Sequence, residues 1–598
     1  MEQSFSASTS WRVSDQLNDA QFQDFRLAGI DALQAQLLYN RGIRTPEAMR
    51  TFLDARYDKT PDPLSLIDMP RALERIQRAL IRCEHITIYG DYDADGVTSA
   101  ALLTRTLRTL GHPSHLLDYH IPNRLSEGRG LNIKALDMLK SRGTSLLITT
   151  DCASSDIEQV EHAKTLDIDV IITDHHHPPE QRPDAYAMIN PWRPDCTYGE
   201  RYLSGVGIAF KLAQALFRAY KQPAEERDLL DLVAIGTIAD IAPLLGENHT
   251  LVRLGLERLR HTHKPGLLAL IRKANLQQDK LRERDISYAL APRINAAGRM
   301  QDASIAFELL TTDDDAQASQ YADELEALNV SRQQQTETLM NAVREELQRY
   351  PNDPVVLVSG NDWPEGIIGL VAGKLVEEFK RPVFVLSKGE EYSRGSARSS
   401  DGFNIILALH AHADLFVRYG GHAQAAGFTI ANERIEDLRR HLLSWHTSGG
   451  GTSSNASRAD LASALTPDST RVIDLIFTKP ERLKYSTYSK IQQLSPFGAA
   501  NPEPTFKLAD LRLVSCWASG IDGRNLRMRL AAAGVQFNGI FIRGGTQLSS
   551  FNGVKYVNVT FRLEPAWSAT EGESKQDISL RILDVEAGMA GANPATII

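Results

Sequence analysis

The sequence predicts a multidomain α/β protein with a mostly parallel sheet covered by helices, one long connecting helix, a second α/β unit and a C-terminal β-barrel. Three observations carry this expectation. From about Arg82 to Asp240, short apolar runs alternate with helical patterns, as in parallel strands joined by crossover helices. Between about Asp315 and Tyr350 there is neither Gly nor Pro, and Tyr321, Leu325, Leu328, then Leu339, Val343, Leu347 recur at helical intervals. From about Val472 to Val585, alternating strand-like segments are separated by Gly-containing turns.

Taken in order, Ile86-Thr-Ile-Tyr-Gly90 reads as a buried strand and Val97 to Leu110 as the helix after it, with Leu103, Leu107 and Leu110 on one face. Leu146-Leu-Ile-Thr-Thr150 and Val170-Ile-Ile-Thr173 repeat the strand pattern. Each of these runs ends in an acid, and ligands of such sheets gather beyond the carboxyl ends of the strands. The long helix is too polar to be core all round and is expected to bridge two domains. Pro351 to Pro354 ends it, and Val355-Val-Leu-Val358 opens the second α/β unit, which runs to about Trp445. His446 to Asn455 has the composition of a flexible linker. Leu526 to Leu530, Val535 to Ile542 and Val554 to Leu563 are barrel strands. The expected boundaries are an N-terminal segment 1–50, a catalytic domain 51–314, the connecting helix 315–350, the second α/β domain 351–445, a linker 446–464, the barrel 465–588 and a tail 589–598.

At 598 residues the chain is several domains long. Met1 to Asp15 is polar without an apolar core, and no run of about 18 apolar residues occurs, so neither a signal peptide nor a membrane span is expected and the cytoplasm is the expected compartment. Cys83, Cys152, Cys196 and Cys516 lie far apart, which argues against structural zinc and a disulfide framework. A net charge of −9 argues against coating duplex nucleic acid by bulk attraction, but leaves room for a local basic groove. One candidate runs through Arg253, Arg258, Arg260, Lys264, Arg272, Lys273, Arg282, Arg284, Arg293 and Arg299, and another is Arg524, Arg527 and Arg529. Solvated helix or strand faces are the alternative.

The chemistry is concentrated at the strand ends. Asp91, Asp93 and Asp95 match a calcium-loop pattern with Gly96, but the twelfth position is Leu102 where that loop needs a bidentate Glu, and a strand precedes it rather than a helix. Asp151 ends the next strand, and Asp174-His175-His176-His177 the one after. Carboxylates with imidazole and without thiolates suit Mn²⁺ or Mg²⁺. Two ions about 3.5 to 4 Å apart would need a bridging carboxylate and would favour in-line attack on a phosphate. Asp151 is the expected bridge, with Asp93 and Asp95 serving one ion each, Asp91 as ligand or support, and His175 completing one sphere. Asp240, inside an apolar stretch, is a further ligand, or else a helix cap or buried ion pair.

These residues resemble the DHH phosphoesterase superfamily and, within it, the bacterial single-strand-specific DNA exonucleases, over about residues 40 to 585. The resemblance is carried by Gly90-Asp-Tyr-Asp-Ala-Asp-Gly-Val-Thr-Ser99, Thr149-Thr-Asp-Cys152, Thr173-Asp-His-His176, Gly205-Val-Gly-Ile-Ala-Phe-Lys211 and Gly236-Thr-Ile-Ala-Asp240. It continues through Ala291-Pro-Arg-Ile-Asn-Ala-Ala-Gly-Arg299, Gly395-Ser-Ala-Arg398, Gly420-Gly-His-Ala-Gln-Ala-Ala-Gly427 and Ser495 to Pro504, the Gly-Gly-His segment being similar to the marker of the DHHA1 domain.

The resemblance implies a metal core of Asp93, Asp95, Asp151, His175 and Asp240, supported by Asp91 and His176. It implies an OB-fold for the barrel and removal of mononucleotides from the 5′ end of single-stranded DNA. Ser396, Arg398, Gly421 and His422 would anchor the terminal phosphate, and Arg124, Arg293, Asn295 and Arg299 would line the strand's path. Single-strand-binding protein and repair helicases are the implied partners, in recombination, mismatch and base-excision repair, and a monomer is expected. Two departures stand out: Tyr89 occupies the place of a His used as ligand in smaller relatives, and Cys152 is followed by Ala153 where many relatives have Gly. The rival functions are a phosphodiesterase for short oligoribonucleotides or cyclic dinucleotides, and an inactive single-strand-binding replication scaffold. Trp517, Phe537, Phe541, Phe551 and Tyr556 are candidates for base stacking or for barrel core.

Overall fold

The structure, a computed structural model, describes residues 11–124, 126–349, 352–400, 402–447, 471–566 and 577–588. The chain divides into two compact units, one of residues 59–242 and 251–463, the other of 1–58, 243–250 and 464–598.

The first unit is built on a five-stranded, all-parallel sheet of β1 (Ile86–Gly90), β2 (Leu117–His120), β3 (Leu146–Thr150), β4 (Asp169–Thr173) and β5 (Ala187–Ile189), in the order β2-β1-β3-β4-β5. Every residue of β1 and β3 is buried, which explains why they read as unbroken apolar runs rather than alternating ones. Helix α1 (Ala94–Thr109) follows β1 and is started by Asp93, whose carboxylate accepts from Asp95 N and Gly96 N. Helices α2 (Gly205–Ala219) and α3 (Leu230–Ala239) pack on α1, and α3 is mostly apolar because it is buried on nearly every side, its Asp231 being paired with Lys264. Helix α4 (Ala291–Met300) follows a single π-helical turn, Ile286–Leu290.

The long helix α5 (Asp315–Leu347) packs its first half on α4 and its second on the next sheet. There Leu339, Met340, Val343 and Leu347 join Val356, Val358, Ile367 and Val371 in one core. That sheet comprises β6 (Val356–Asn361), β7 (Val383–Lys388), β8 (Tyr392–Arg398), β9 (Phe416–Gly421) and β10 (Ala425–Ala431), in the order β9-β10-β8-β7-β6. Only β6 and β7 run parallel, with α6 (Glu365–Phe379) crossing between them. Of the expected linker, only His446 and Thr447 are described, at the end of helix Ile435–Thr447; 448–464 lies outside the described residues, as does the tail 589–598.

In the second unit, β11 (Leu475–Phe477) lies parallel to β12 (Phe506–Ser519), which with β13 (Asn525–Ala532), β14 (Val535–Phe541), β15 (Tyr556–Pro565) and β16 (Ile578–Ala587) closes a five-stranded barrel through β12-β13-β14-β16-β15 and back to β12. Leu17, Phe25, Leu37, Leu38 and Met49 from the N-terminal segment, with Phe52 just beyond its expected boundary, share the barrel's core. Phe537 and Phe551 are buried in that core, whereas Trp517 is 41% exposed. Trp517 stands opposite Arg527 in the β12–β13 register, so the two side chains share the outer face with Arg529. No helix among the described residues is long and apolar enough to cross a membrane.

Candidate active site

The ladder of the parallel sheet extends one residue beyond each of three strands. Asp91 N donates to Thr150 O, Asp151 N to Thr173 O and Asp174 N to Ile189 O, so the acids that follow β1, β3 and β4 stand side by side at the carboxyl edge. Asp151 has a φ of 61°, a conformation that Asp tolerates better than most residues, and it turns the chain there. His175 Nε2 lies 3.0 Å from Asp151 Oδ1, 3.9 Å from Asp95 Oδ2 and 3.8 Å from Asp240 Oδ2. Asp240 arrives as the cap of α3, so it caps a helix and faces this cluster at once.

Asp95 is fixed from outside its own helix. Gly205 N donates to its Oδ2 at 2.7 Å and Val206 N to its Oδ1 at 2.9 Å, so the first turn of α2 grips both oxygens. This approach explains two glycines of the sequence signatures. A Cβ on Gly205 would lie 2.7 Å from Asp151 Cβ, and one on Gly236 would lie 2.3 Å from Thr98 Oγ1 and 2.8 Å from Asp95 Oδ1.

Asp91, Asp95 and Asp151 are almost completely buried. Burial, with Asp93 close by, pushes Asp91 up to about 6, and burial with Asp240 close by pushes Asp95 up to about 8. Burial also drives Asp151 well above the usual carboxylate range. For His175 burial opposes the charge, but Asp240, Asp151 and Asp95 outweigh it and hold its pKa well above the ordinary value. The buried Asp151 Oδ1 and His175 Nε2 face each other at 3.0 Å, and neither has another hydrogen-bond partner among the described residues. Unsatisfied donor atoms of this kind, in an oxygen-rich set with one imidazole, fit hard divalent cations. Among the described residues, three sets of side chains bring their donor atoms close enough to share an ion: Asp91, Asp93 and Asp151; Asp95, His175 and Asp240; and Asp151, His175 and His176.

Several participants were not anticipated from the sequence. Asp174 accepts from His175 N, His176 N and Ser154 N, and lies 2.7 Å from His176 Nδ1. Burial would raise its pKa, but the bond with His176 reverses this and holds it below the usual range. Arg129 Nη2 is 2.7 Å from His176 Nε2 and its Nε bonds Asp91 Oδ2 at 2.9 Å. A guanidinium only donates, so His176 accepts at Nε2 and carries its proton at Nδ1 toward Asp174. The acid of the Asp-His-His motif was readable as an orienting partner, whereas nothing local marks Arg129. Tyr89 turns away from the cluster: it is fully buried among Leu131, Leu136 and Leu147, and its hydroxyl donates to Gly130 O. Cys152 packs in the same core.

A second feature lies in the same unit. Arg124, Arg299 and Arg398 share a recess, and among the described residues none of the three pairs with a carboxylate. Burial, reinforced by Arg124 and by Arg332 of α5, lowers Arg299 to about 10, and burial with Arg124 lowers Arg398. Arg398 Nη1 donates to Ser396 Oγ at 3.0 Å and to Ala397 O at 2.8 Å. Arg124 and Ser396 also line a cavity of about 310 Å³ with Gly369, Arg418, Tyr419 and the paired Arg394 and Glu365. Helix α4 ties this recess to the acids: Asn295 Oδ1 accepts from Ala94 N at 2.9 Å, and Arg299 stands one turn further on. Arg293, by contrast, pairs with Glu326. Gly421 and His422 lie exposed where β9 turns toward β10. Much of the longer basic run is likewise neutralised, Arg258 and Lys264 by Asp228, Lys264 by Asp231 and Lys273 by Asp323.

The first unit has the two-part architecture of a DHH–DHHA1 protein: residues 85–237 match the DHH family, N-terminal domain, and 352–447 the DHHA1 domain. Residues 473–581 match the RecJ OB domain. The single-stranded-DNA-specific exonuclease RecJ of Dickeya dadantii is 32% identical over 92% of this chain and 96% of its own length. The chain belongs to the RecJ family. RecJ of Bacillus subtilis is 39% identical over 79% of this chain, which spans 58% of that longer relative. The crystal structure of RecJ from Thermus thermophilus in complex with Mn²⁺ is similar with a TM-score of 0.79 at 27% identity, covering 97% of this chain and 80% of that one.

Proposed function

We propose that this protein is a metal-dependent exonuclease specific for single-stranded DNA, acting in recombination and repair and releasing mononucleotides from the 5′ end. The observation that supports it best is the pairing, within one unit, of the acid–histidine cluster with Arg124, Arg299 and Arg398, none of which forms an ion pair among the described residues. A pair of Mn²⁺ or Mg²⁺ ions bound by Asp93, Asp95, Asp151, His175 and Asp240 would polarise the phosphodiester and lower the pKa of a bound water. Asp174 and Arg129 fix the tautomer of His176, and Asp91 is held by Arg129. Ser396 and Arg398 grip the terminal phosphate, for which a guanidinium is well shaped, and Asn295 and Arg299 flank the strand between that grip and the acids.

The barrel supplies a sequence-tolerant surface, with Trp517 for stacking and Arg527 and Arg529 for the backbone. A cyclic dinucleotide would have no use for it. The cytoplasm is the compartment of this activity, with single-strand-binding protein and repair helicases as partners. The test uses single-stranded DNA labelled at either end. Wild-type protein with Mn²⁺ releases a 5′ label first as mononucleotide, and Asp151→Ala abolishes turnover while retaining the wild-type circular dichroism spectrum. Loss of the 3′ label first would reverse the polarity, and inertness toward single strands would defeat the reading.

A further inference from the structure

Helix α3 ends in a way that is costly for the residue placed there. Ile241 N donates to Ile238 O and Ala242 N to Thr237 O, the paired bonds of a Schellman motif, which puts Ile241 at the left-handed position that glycine normally fills. Its φ is 59°. Among the described residues, the other non-glycine residues with positive φ are Ala, Asp, Asn, Lys, Arg and Cys; Ile241 is the one β-branched side chain, the kind least suited to this conformation. Packing does not offset the strain, because Ile241 is 74% exposed. The residue before it is Asp240, whose carboxylate lies 3.8 Å from His175 Nε2. A strained and solvated aliphatic residue thus adjoins Asp240 of the acid cluster in the chain, and the core does not account for it.

We infer that Ile241 is a substrate-contacting residue whose side chain packs on the sugar and base of the nucleotide being removed. The inference rests on the nuclease reading above and adds to it an apolar wall next to an otherwise charged site. A nucleotide whose phosphate lies over Asp95, Asp151 and Asp240 presents its deoxyribose and base to whatever flanks Asp240, and aliphatic contact there is indifferent to sequence. The isoleucine raises the energy of the free protein, a cost that apolar contact with the substrate offsets.

Ile241→Gly and Ile241→Asn relieve the backbone, so both are expected to raise the melting temperature by about 1–3 °C. The same variants should lower kcat/KM on single-stranded DNA by about tenfold and weaken binding of thymidine 5′-monophosphate in the presence of Mn²⁺ by a similar factor. Ile241→Val, still apolar and still strained, should restore most of both. Unchanged kinetics and unchanged nucleotide affinity in the glycine variant would overturn the inference. So would a fall in its melting temperature, since the side chain would then be holding the fold. If the wild type failed to digest single strands, the nuclease reading would fail, and the monophosphate titration would still decide whether Ile241 touches a nucleotide.

Discussion

Metal binding at the acid cluster should compete with protons, and the buried carboxylates set the size of the effect. Asp95, pushed up to about 8, is about nine-tenths protonated at pH 7, and removing that proton costs ~1.4 kcal/mol for each pH unit below its pKa. His175, held well above its ordinary pKa by Asp240, Asp151 and Asp95, carries a second proton that coordination must displace. Asp151 is driven up by the same burial, so at least two protons should leave on loading at pH 7, and the apparent affinity for Mn²⁺ should rise about a hundredfold or more between pH 6 and 7. The metal-free fold should show the mirror image. Carboxyls whose folded pKa is raised are no burden below about pH 4, where both states are protonated, and destabilise the fold as pH climbs toward 6 for Asp91 and 8 for Asp95. His175 has the same sign, since the stability from its raised pKa is lost as pH rises through it. Isothermal titration in buffers of different ionisation enthalpy counts the protons, and melting of chelator-treated protein from pH 5 to 8 follows the fold. An Mn²⁺ affinity independent of pH between 6 and 8, or a metal-free melting temperature that climbs over that range, would refute the reasoning.

Other perturbations separate the parts of the site. Asp174→Asn leaves His176 without its carboxylate and should reduce turnover by about ten- to a hundredfold with the fold retained, checked by steady-state kinetics beside circular dichroism. Gly236→Ala forces a methyl to within 2.3 Å of Thr98 Oγ1 and 2.8 Å of Asp95 Oδ1, so a loss of about 1–3 kcal/mol in chemical denaturation is expected, together with weaker Mn²⁺ binding. Trp517→Ala should weaken binding of a long single strand by about 1–3 kcal/mol in fluorescence anisotropy while leaving Mn²⁺ affinity as it was.

What could be read in the sequence follows from how local its cause is. Buried parallel strands are continuous apolar runs, so Ile86–Gly90, Leu146–Thr150 and Asp169–Thr173 announced themselves, and the acid after each marked the carboxyl edge. The helix of Asp315–Leu347 was equally plain from its period. Arg129 was not, because its role depends on a turn that brings it to Asp91 and His176 from 38 and 47 residues away. Most of the basic run suffered the opposite fate: Arg258, Lys264 and Arg293 look cationic in sequence and are paired in space, while Arg299, at the end of the run, joins Arg124 and Arg398 from elsewhere in the chain. Among the barrel aromatics, periodicity could not divide Phe537 and Phe551, which are core, from the exposed Trp517. The N-terminal helices looked like a separate segment and instead fill the barrel's core, since an amphipathic face records that it is covered without recording by what.

The grip of Gly205 N and Val206 N on both oxygens of Asp95 has a consequence for how the centre tolerates changes in its surroundings. This carboxylate takes its orientation from polypeptide amides, so its aim does not depend on which cation approaches. Exchange of magnesium for manganese, or a passage through chelator and back, should leave that part of the scaffold standing where it was and ask only solvent to rearrange.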